Sequence, residues 1–129
     1  MTAGLARWLL AGTGALQLLL NAMTLVRGLP KIRQEVAGGA LNERFGDLLS
    51  VAWSYAGLAN LCLSALLVLV SAPAAHGDPV ARRVAWGIGL YYVALGPALY
   101  FTGLRRHPGL LVFSLLGLVV LGGLRFGPR

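Results

Sequence analysis

The sequence predicts an all-α membrane protein, a single polytopic domain built as a bundle of four transmembrane helices. Hydrophobic residues make up 57% of the 129-residue chain, and only 12% of the residues are charged. A soluble domain averages about 25% charged residues. The difference lies in four long apolar runs that contain no Asp, Glu, Lys or Arg. Runs of this kind cross a bilayer as helices, because each residue adds about 1.5 Å to a helix.

The net charge of +7 comes from eleven Lys and Arg residues against four acids. In a soluble protein such an excess would indicate nucleic-acid binding. Here the basic residues lie at the ends of the apolar runs, where they meet anionic lipid headgroups. We therefore expect the lipid bilayer as a partner, and no nucleic acid.

Helix 1 is predicted over residues 6–26. It should end where Arg27, Gly28 and Pro30 bring together a charge, a flexible residue and a helix breaker. Four polar side chains within it are spaced four, four and three residues apart, which places them on one helical face. They are Thr13, Gln17, Asn21 and Thr24. Amide side chains are costly to expose to lipid, so this face should turn toward other helices.

Helix 2 is predicted over residues 43–71, with Asn42 as its N-terminal cap. The helix is longer than a bilayer requires, so its first turns should stand in the headgroup region, with Trp53 as an interfacial anchor. We also expect Arg27, Arg44 and Asp47 to be charges at this interface. A stripe of polar and small residues should pack against helix 1. Its members are Asp47, Ser50, Ser54, Gly57, Asn60 and Ser64.

Helices 3 and 4 are predicted over residues 83–103 and 109–125. Tyr92 belongs to a face of small and aromatic residues on helix 3. Pro97 removes a backbone hydrogen bond and should kink this helix near Val93, unless a neighbour satisfies the freed carbonyl.

Three other side chains were considered as sites of chemistry. His76 and His107 fall in turns on opposite sides of the predicted membrane, so they cannot share a metal ion within one protomer. Cys62 is expected to be a small buried residue, because no histidine lies near it in the membrane. We predict no metal ligands, no catalytic residues and no cofactor.

The polar residues on helices 1 to 3 have two interpretations. Asn21, Asn60 and Tyr92 could line a site for a polar headgroup, a quinone or a small solute. They could instead form a structural network that fixes the register of the bundle. Interhelical hydrogen bonds of this kind contribute only about 0.6 kcal/mol on average. We favour the structural interpretation, since one weak network does not by itself indicate a function.

The orientation of the chain in the membrane stays open. Four spans place both termini on one side, together with five Lys and Arg residues, and leave six for the other side. The positive-inside rule needs a clear imbalance to assign an orientation. A near-balance is also compatible with dual topology.

In layout the chain resembles the four-helix proteins of the bacterial inner membrane, DoxX-like ones included. The shared features are a polar first span, a charged loop, Ala52–Trp53 followed by Asn60 in span 2, and RRHPG (residues 105–109) before span 4. The resemblance implies a multi-pass protein of the bacterial inner membrane but no particular reaction. Small multidrug-resistance transporters share the length and span number. They differ by a glutamate in the middle of helix 1, where this chain has Gln17.

Four spans without intramembrane charge or cofactor ligands favour a non-catalytic accessory or structural subunit of a membrane complex. The chain would then form a homo-oligomer or join a larger membrane assembly. The first alternative is a small dimeric channel or transporter for a small solute, indicated by the polar stripe and the balanced charges. The second is a lipid- or quinone-binding membrane protein or enzyme.

Overall fold

The computed structural model describes residues 1–101 and 111–127, which form four α-helices joined in sequence. These residues contain no β-strand. The helices are α1 (Ala3–Ala37), α2 (Glu43–Ala75), α3 (Pro79–Phe101) and α4 (Val112–Phe126). Residues 102–103 and 109–110 of the predicted helices 3 and 4 lie outside the described residues. The predicted all-α class is confirmed.

Three of the helices, α1, α2 and α3, are long and apolar enough to cross a membrane. Helix α4 is also apolar, but its 15 described residues make it shorter. The lengths and apolar composition of these three helices therefore agree with the membrane character expected from the sequence.

The predicted end of helix 1 at residue 26 is wrong, because α1 continues through Pro30 to Ala37. Packing against α2 explains the extension. Ile32 is buried, and the side chain of Val36 lies against Gly46 of α2. A proline removes one backbone hydrogen bond, but a helix can continue past it when a neighbouring helix stabilises the turns that follow. The connection to α2 comes later, at residues 38–42, where Gly39 adopts a positive φ of 74°.

Helix α2 begins at Glu43 as predicted, and the side chain of Asn42 accepts a hydrogen bond from the backbone N–H of Arg44 (2.9 Å). Its predicted end at residue 71 is four residues early. Ala74 and Ala75 are almost completely buried in the bundle, and this packing stabilises an additional helical turn around Pro73. The turn to α3 is correspondingly short.

Helix α3 begins at Pro79 and not at residue 83. Asp78 caps it, because its Oδ1 accepts a hydrogen bond from the backbone N–H of Ala81 (2.6 Å). Proline is well suited to the first helical position, where its missing N–H has no partner to lose. Arg82 therefore lies in the first turn of α3, and its guanidinium donates to the carbonyl of Leu124 near the end of α4.

The helices pack as two close pairs, α1 with α2 and α3 with α4, and the two pairs share one core. Small residues permit the close approach within each pair. Gly14 faces Val68 across the first pair, and Gly117 faces the carbonyl of Gly89 across the second. The largest fully buried side chains lie between the pairs: Leu10, Gln17, Ser64, Leu67, Tyr92, Val120 and Leu124.

Candidate functional site

Most of the polar stripe on α1 faces the interior. Thr13, Gln17 and Asn21 are all less than a tenth exposed. Thr24 differs from the expectation, because it is exposed and its hydroxyl donates to the carbonyl of Leu20 within its own helix (2.8 Å). At that level Leu25 takes the inward position and packs on Gly57 of α2.

Asn21 is bonded to the two neighbouring helices. Its amide nitrogen donates to the hydroxyl of Ser64 on α2 and to the hydroxyl of Tyr92 on α3, each at 3.0 Å. The Ser64 and Tyr92 hydroxyl oxygens are themselves 2.8 Å apart. All three side chains are buried. Together they form a closed triangle of hydrogen bonds, called here the polar triad, that joins α1, α2 and α3.

Asn60 connects the polar triad to the surface of α2 and α3. Its backbone carbonyl oxygen lies 2.8 Å from the hydroxyl of Ser64 and 3.2 Å from the hydroxyl of Tyr92. Because each hydroxyl has one proton, one of the two donates to this carbonyl while the other donates within the polar triad. Its side-chain oxygen accepts from the hydroxyl of Tyr91 (3.0 Å), which is exposed. Tyr91 is not among the site residues expected from the sequence, where Tyr92 is preferred because adjacent residues on a helix point in different directions. Here Asn60 presents its backbone to one tyrosine and its side chain to the other.

Ser54 does not join this network. It is half-buried, and its hydroxyl donates to the carbonyl of Ser50, one turn earlier in α2 (2.8 Å). The contact with α1 at this level is made by Trp53 instead. A Cβ atom added to Gly28 would collide with the Trp53 ring. Trp53 thus packs against α1, with its indole nitrogen buried, and the interfacial position expected for it stays a prediction.

Gln17 is the one member of the buried stripe on α1 whose amide has no partner. Its side chain is completely buried, and neither Nε2 nor Oε1 is hydrogen-bonded to any described residue. The contrast with Asn21, one turn further along the same face, is direct. The buried stripe on α1 therefore contains one amide whose nitrogen is bonded to two neighbouring helices and one amide that is unbonded.

The three charges expected at the interface are all exposed. Asp47 lines a shallow groove between the end of α1 and the start of α2, with Arg33 and Glu43 among its other lining residues. Arg27 borders a second, flatter depression on α1. Arg44 lies in the first turn of α2, next to its cap. Both grooves lie away from the polar triad.

Cys62 is exposed and not buried as expected. It lies two residues from both Asn60 and Ser64, and a separation of two residues places a side chain on the opposite side of a helix. His76 is exposed in the turn after α2, where its Nδ1 lies 2.8 Å from the carbonyl oxygen of Ala72. His107 lies outside the described residues. The described part of the chain has no group of three or more metal-binding side chains.

Compared with known proteins, the chain matches no family model, no curated protein and no solved structure. Chemically, the polar triad is a hydrogen-bonded connection between three helices. Its polar groups form hydrogen bonds with one another.

Proposed function

We propose that this protein is a multi-pass protein of the bacterial inner membrane with four spans, serving as a non-catalytic accessory subunit of a membrane complex. The proposed fourth span is α4, preceded by apolar residues from Gly109. Its buried face packs against Gly89 and Val93 of α3. The layout similar to DoxX-like proteins supports the location.

One observation carries the accessory role: α1 and α2 extend well past the level of Phe101, the last described residue of α3. The turn His76–Asp78 is short, so the end of α2 and the start of α3 are level. Because α2 has 33 residues and α3 has 23, α2 extends about 15 Å past the level of Phe101. Helix α1 accompanies it, as the contact between Val36 and Gly46 shows.

The extension is a pair of packed helices, called here the hairpin tip (residues 27–54). Its surface carries charged side chains together with the exposed apolar residues Phe45, Leu48 and Val51. Close contacts hold it together, including Gly28 against Trp53. Its charged side chains are all exposed: Arg27, Lys31, Arg33, Glu35, Glu43, Arg44 and Asp47. A rigid surface of mixed charge outside the bilayer suits a protein partner, since paired charges give specificity and orientation to a docked complex.

The direct test is native mass spectrometry of the protein, extracted in mild detergent from the membranes of its host. The proposal expects a second polypeptide at a fixed stoichiometry, alone or with further copies of this chain. Detection of the monomer or homodimer alone, under conditions that preserve a known complex from the same membranes, would contradict it.

A charge exchange then tests whether the hairpin tip is the docking surface. The double variant Arg33→Glu/Glu43→Arg keeps the number of basic residues on this side, so the topology signal is preserved. It should lose most of the bound partner. The control Leu19→Trp enlarges an exposed residue (58%) in the apolar part of α1 and should retain it. If Leu19→Trp loses the bound partner and the charge-exchange variant retains it, the partner docks within the membrane plane instead.

The alternative of a small dimeric channel or transporter is favoured by one observation, the buried and unbonded amide of Gln17. Purified protein in liposomes should then catalyse flux of a small neutral solute. The variant Asn21→Leu/Asn60→Leu should abolish this flux, whereas it should leave the partner bound under the accessory proposal. Flux that is lost in this variant would favour transport.

A further inference from the structure

Gln17 lies midway between two charged residues along α1 and in the interior of the bundle. Along the chain it lies ten residues from Arg7 and ten from Arg27, or about 15 Å from each charge in a helix. Across the bundle it lies on the inward face of α1, between Gly14 and Asn21. Gly14 packs on Val68, and Asn21 bonds to α2 and α3. The amide therefore lies near the middle of the bilayer in the protein interior.

An unbonded amide in this position is costly. Transfer of an amide into an apolar medium without a hydrogen bond is unfavourable, and the lipid interior offers no water to compensate. Leucine, which has a similar volume, surrounds Gln17 in the sequence at Leu16, Leu18 and Leu19 and would avoid this cost. The amide is thus a polar group that requires a ligand.

The chemistry of that ligand is restricted by the surroundings. Gln17 offers both a donor, Nε2, and an acceptor, Oε1. None of the buried polar side chains in the described residues is charged, since they are Thr13, Gln17, Asn21, Ser64 and Ser71. A charged ligand would have no counter-charge there. A second copy of the chain cannot reach the amide, because Gln17 is completely buried.

We propose that Gln17 is an internal binding site for a small neutral molecule that both donates and accepts hydrogen bonds, and that this molecule is water. Buried waters typically make about three hydrogen bonds to polar groups that are otherwise unsatisfied. Two of these come from the Gln17 amide. The bundle interior is then hydrated near the middle of the membrane.

The test uses the fact that the chain contains only two glutamines, Gln17 and Gln34. Selective ¹⁵N labelling of glutamine in protein reconstituted in nanodiscs gives two side-chain amide signals in an NMR spectrum. The variant Gln34→Glu, at an exposed position, removes one signal and assigns the other. The site predicts a cross-peak between the Gln17 amide protons and a long-lived water. Gln34 should show only the rapid exchange of a surface amide.

A control separates water from exchangeable hydroxyl protons, which can produce a similar cross-peak. The variant Thr13→Val removes the nearest hydroxyl on the same face. A cross-peak that persists in this variant supports bound water. A Gln17 amide without any water cross-peak, and protected from deuterium exchange, would overturn the proposal. Neither outcome affects the accessory role, which depends on the hairpin tip.

Discussion

The hydroxyl of Ser114 on α4 donates a hydrogen bond to the backbone carbonyl of Val93 on α3 (3.1 Å). This carbonyl is the one that Pro97, four residues later, leaves without a helical N–H partner. Helix α3 continues through the proline to Phe101. The side chain of one helix thus replaces the backbone bond that its neighbour lacks, as transmembrane helices with proline require.

Removing this hydroxyl should therefore destabilise the protein only while Pro97 is present. We expect Ser114→Ala to lower the free energy of unfolding by about 1–3 kcal/mol, the cost of a buried unsatisfied carbonyl. In the Pro97→Ala background the new N–H can bond to Val93, so the same change should cost much less. Unfolding in mixed micelles with increasing SDS measures both. Equal costs in the two backgrounds would contradict this explanation.

The contact between Gly28 and Trp53 should be sensitive to a single methyl group. Gly28→Ala places a Cβ atom in collision with the Trp53 ring, and such overpacking costs about 1–3 kcal/mol. The change Trp53→Leu removes the ring and should restore most of this loss. Thermal unfolding followed by circular dichroism gives the comparison.

Gly12 on the same helix is the matched control for Gly28. A Cβ atom at Gly12 meets nothing within 4 Å. Since alanine favours the helix over glycine, Gly12→Ala should be neutral or stabilising by up to about 1 kcal/mol. Equal destabilisation by the two substitutions would show that the packing of Gly28 against Trp53 is not the cause.

Asn21 and Tyr92 should be energetically coupled, because the amide of one donates directly to the hydroxyl of the other. A double-mutant cycle with Asn21→Leu and Tyr92→Phe should give a coupling of about 0.6–1.7 kcal/mol, the range found between membrane helices. The control pairs Asn21→Leu with Tyr55→Phe. Tyr55 is 80% exposed, so its coupling should be near zero. The same value for both cycles would exclude a specific bond.

Local signals explain what could be predicted from the sequence. The cap at Asn42 depends on residues next to it in the chain, and the membrane character depends on composition. The inward position of Gln17 and Asn21 follows from helical spacing. Pro97 also indicated a freed carbonyl near Val93, although not the residue that would satisfy it.

The features that could not be predicted depend on contacts between helices. The continuation of α1 through Pro30 is stabilised by the contact between Val36 and Gly46, which lie on different helices. Leu25 displaces Thr24 from the interior for a similar reason, because it meets Gly57 of α2. The spacing of residues along one helix predicts which of them share a face. Which residues of that face are buried depends on the packing of the neighbouring helix.

In the proposed arrangement, α1 and α2 cross the bilayer and the hairpin tip stands outside it. Cys62 is the only cysteine and is exposed on α2, so a nitroxide spin label can be attached there in the native sequence. A second label at Gln34→Cys, in a Cys62→Ser background, reports on the hairpin tip. Power-saturation EPR in liposomes then compares collisions with oxygen, which concentrates in lipid, and with a water-soluble nickel chelate.

We predict that oxygen dominates at position 62 and the nickel chelate at position 34. A label at Cys62 that meets the nickel chelate as often as the label at position 34 would contradict the membrane-spanning arrangement. A label at position 34 that meets mainly oxygen would place the hairpin tip in lipid and remove the basis of the accessory proposal.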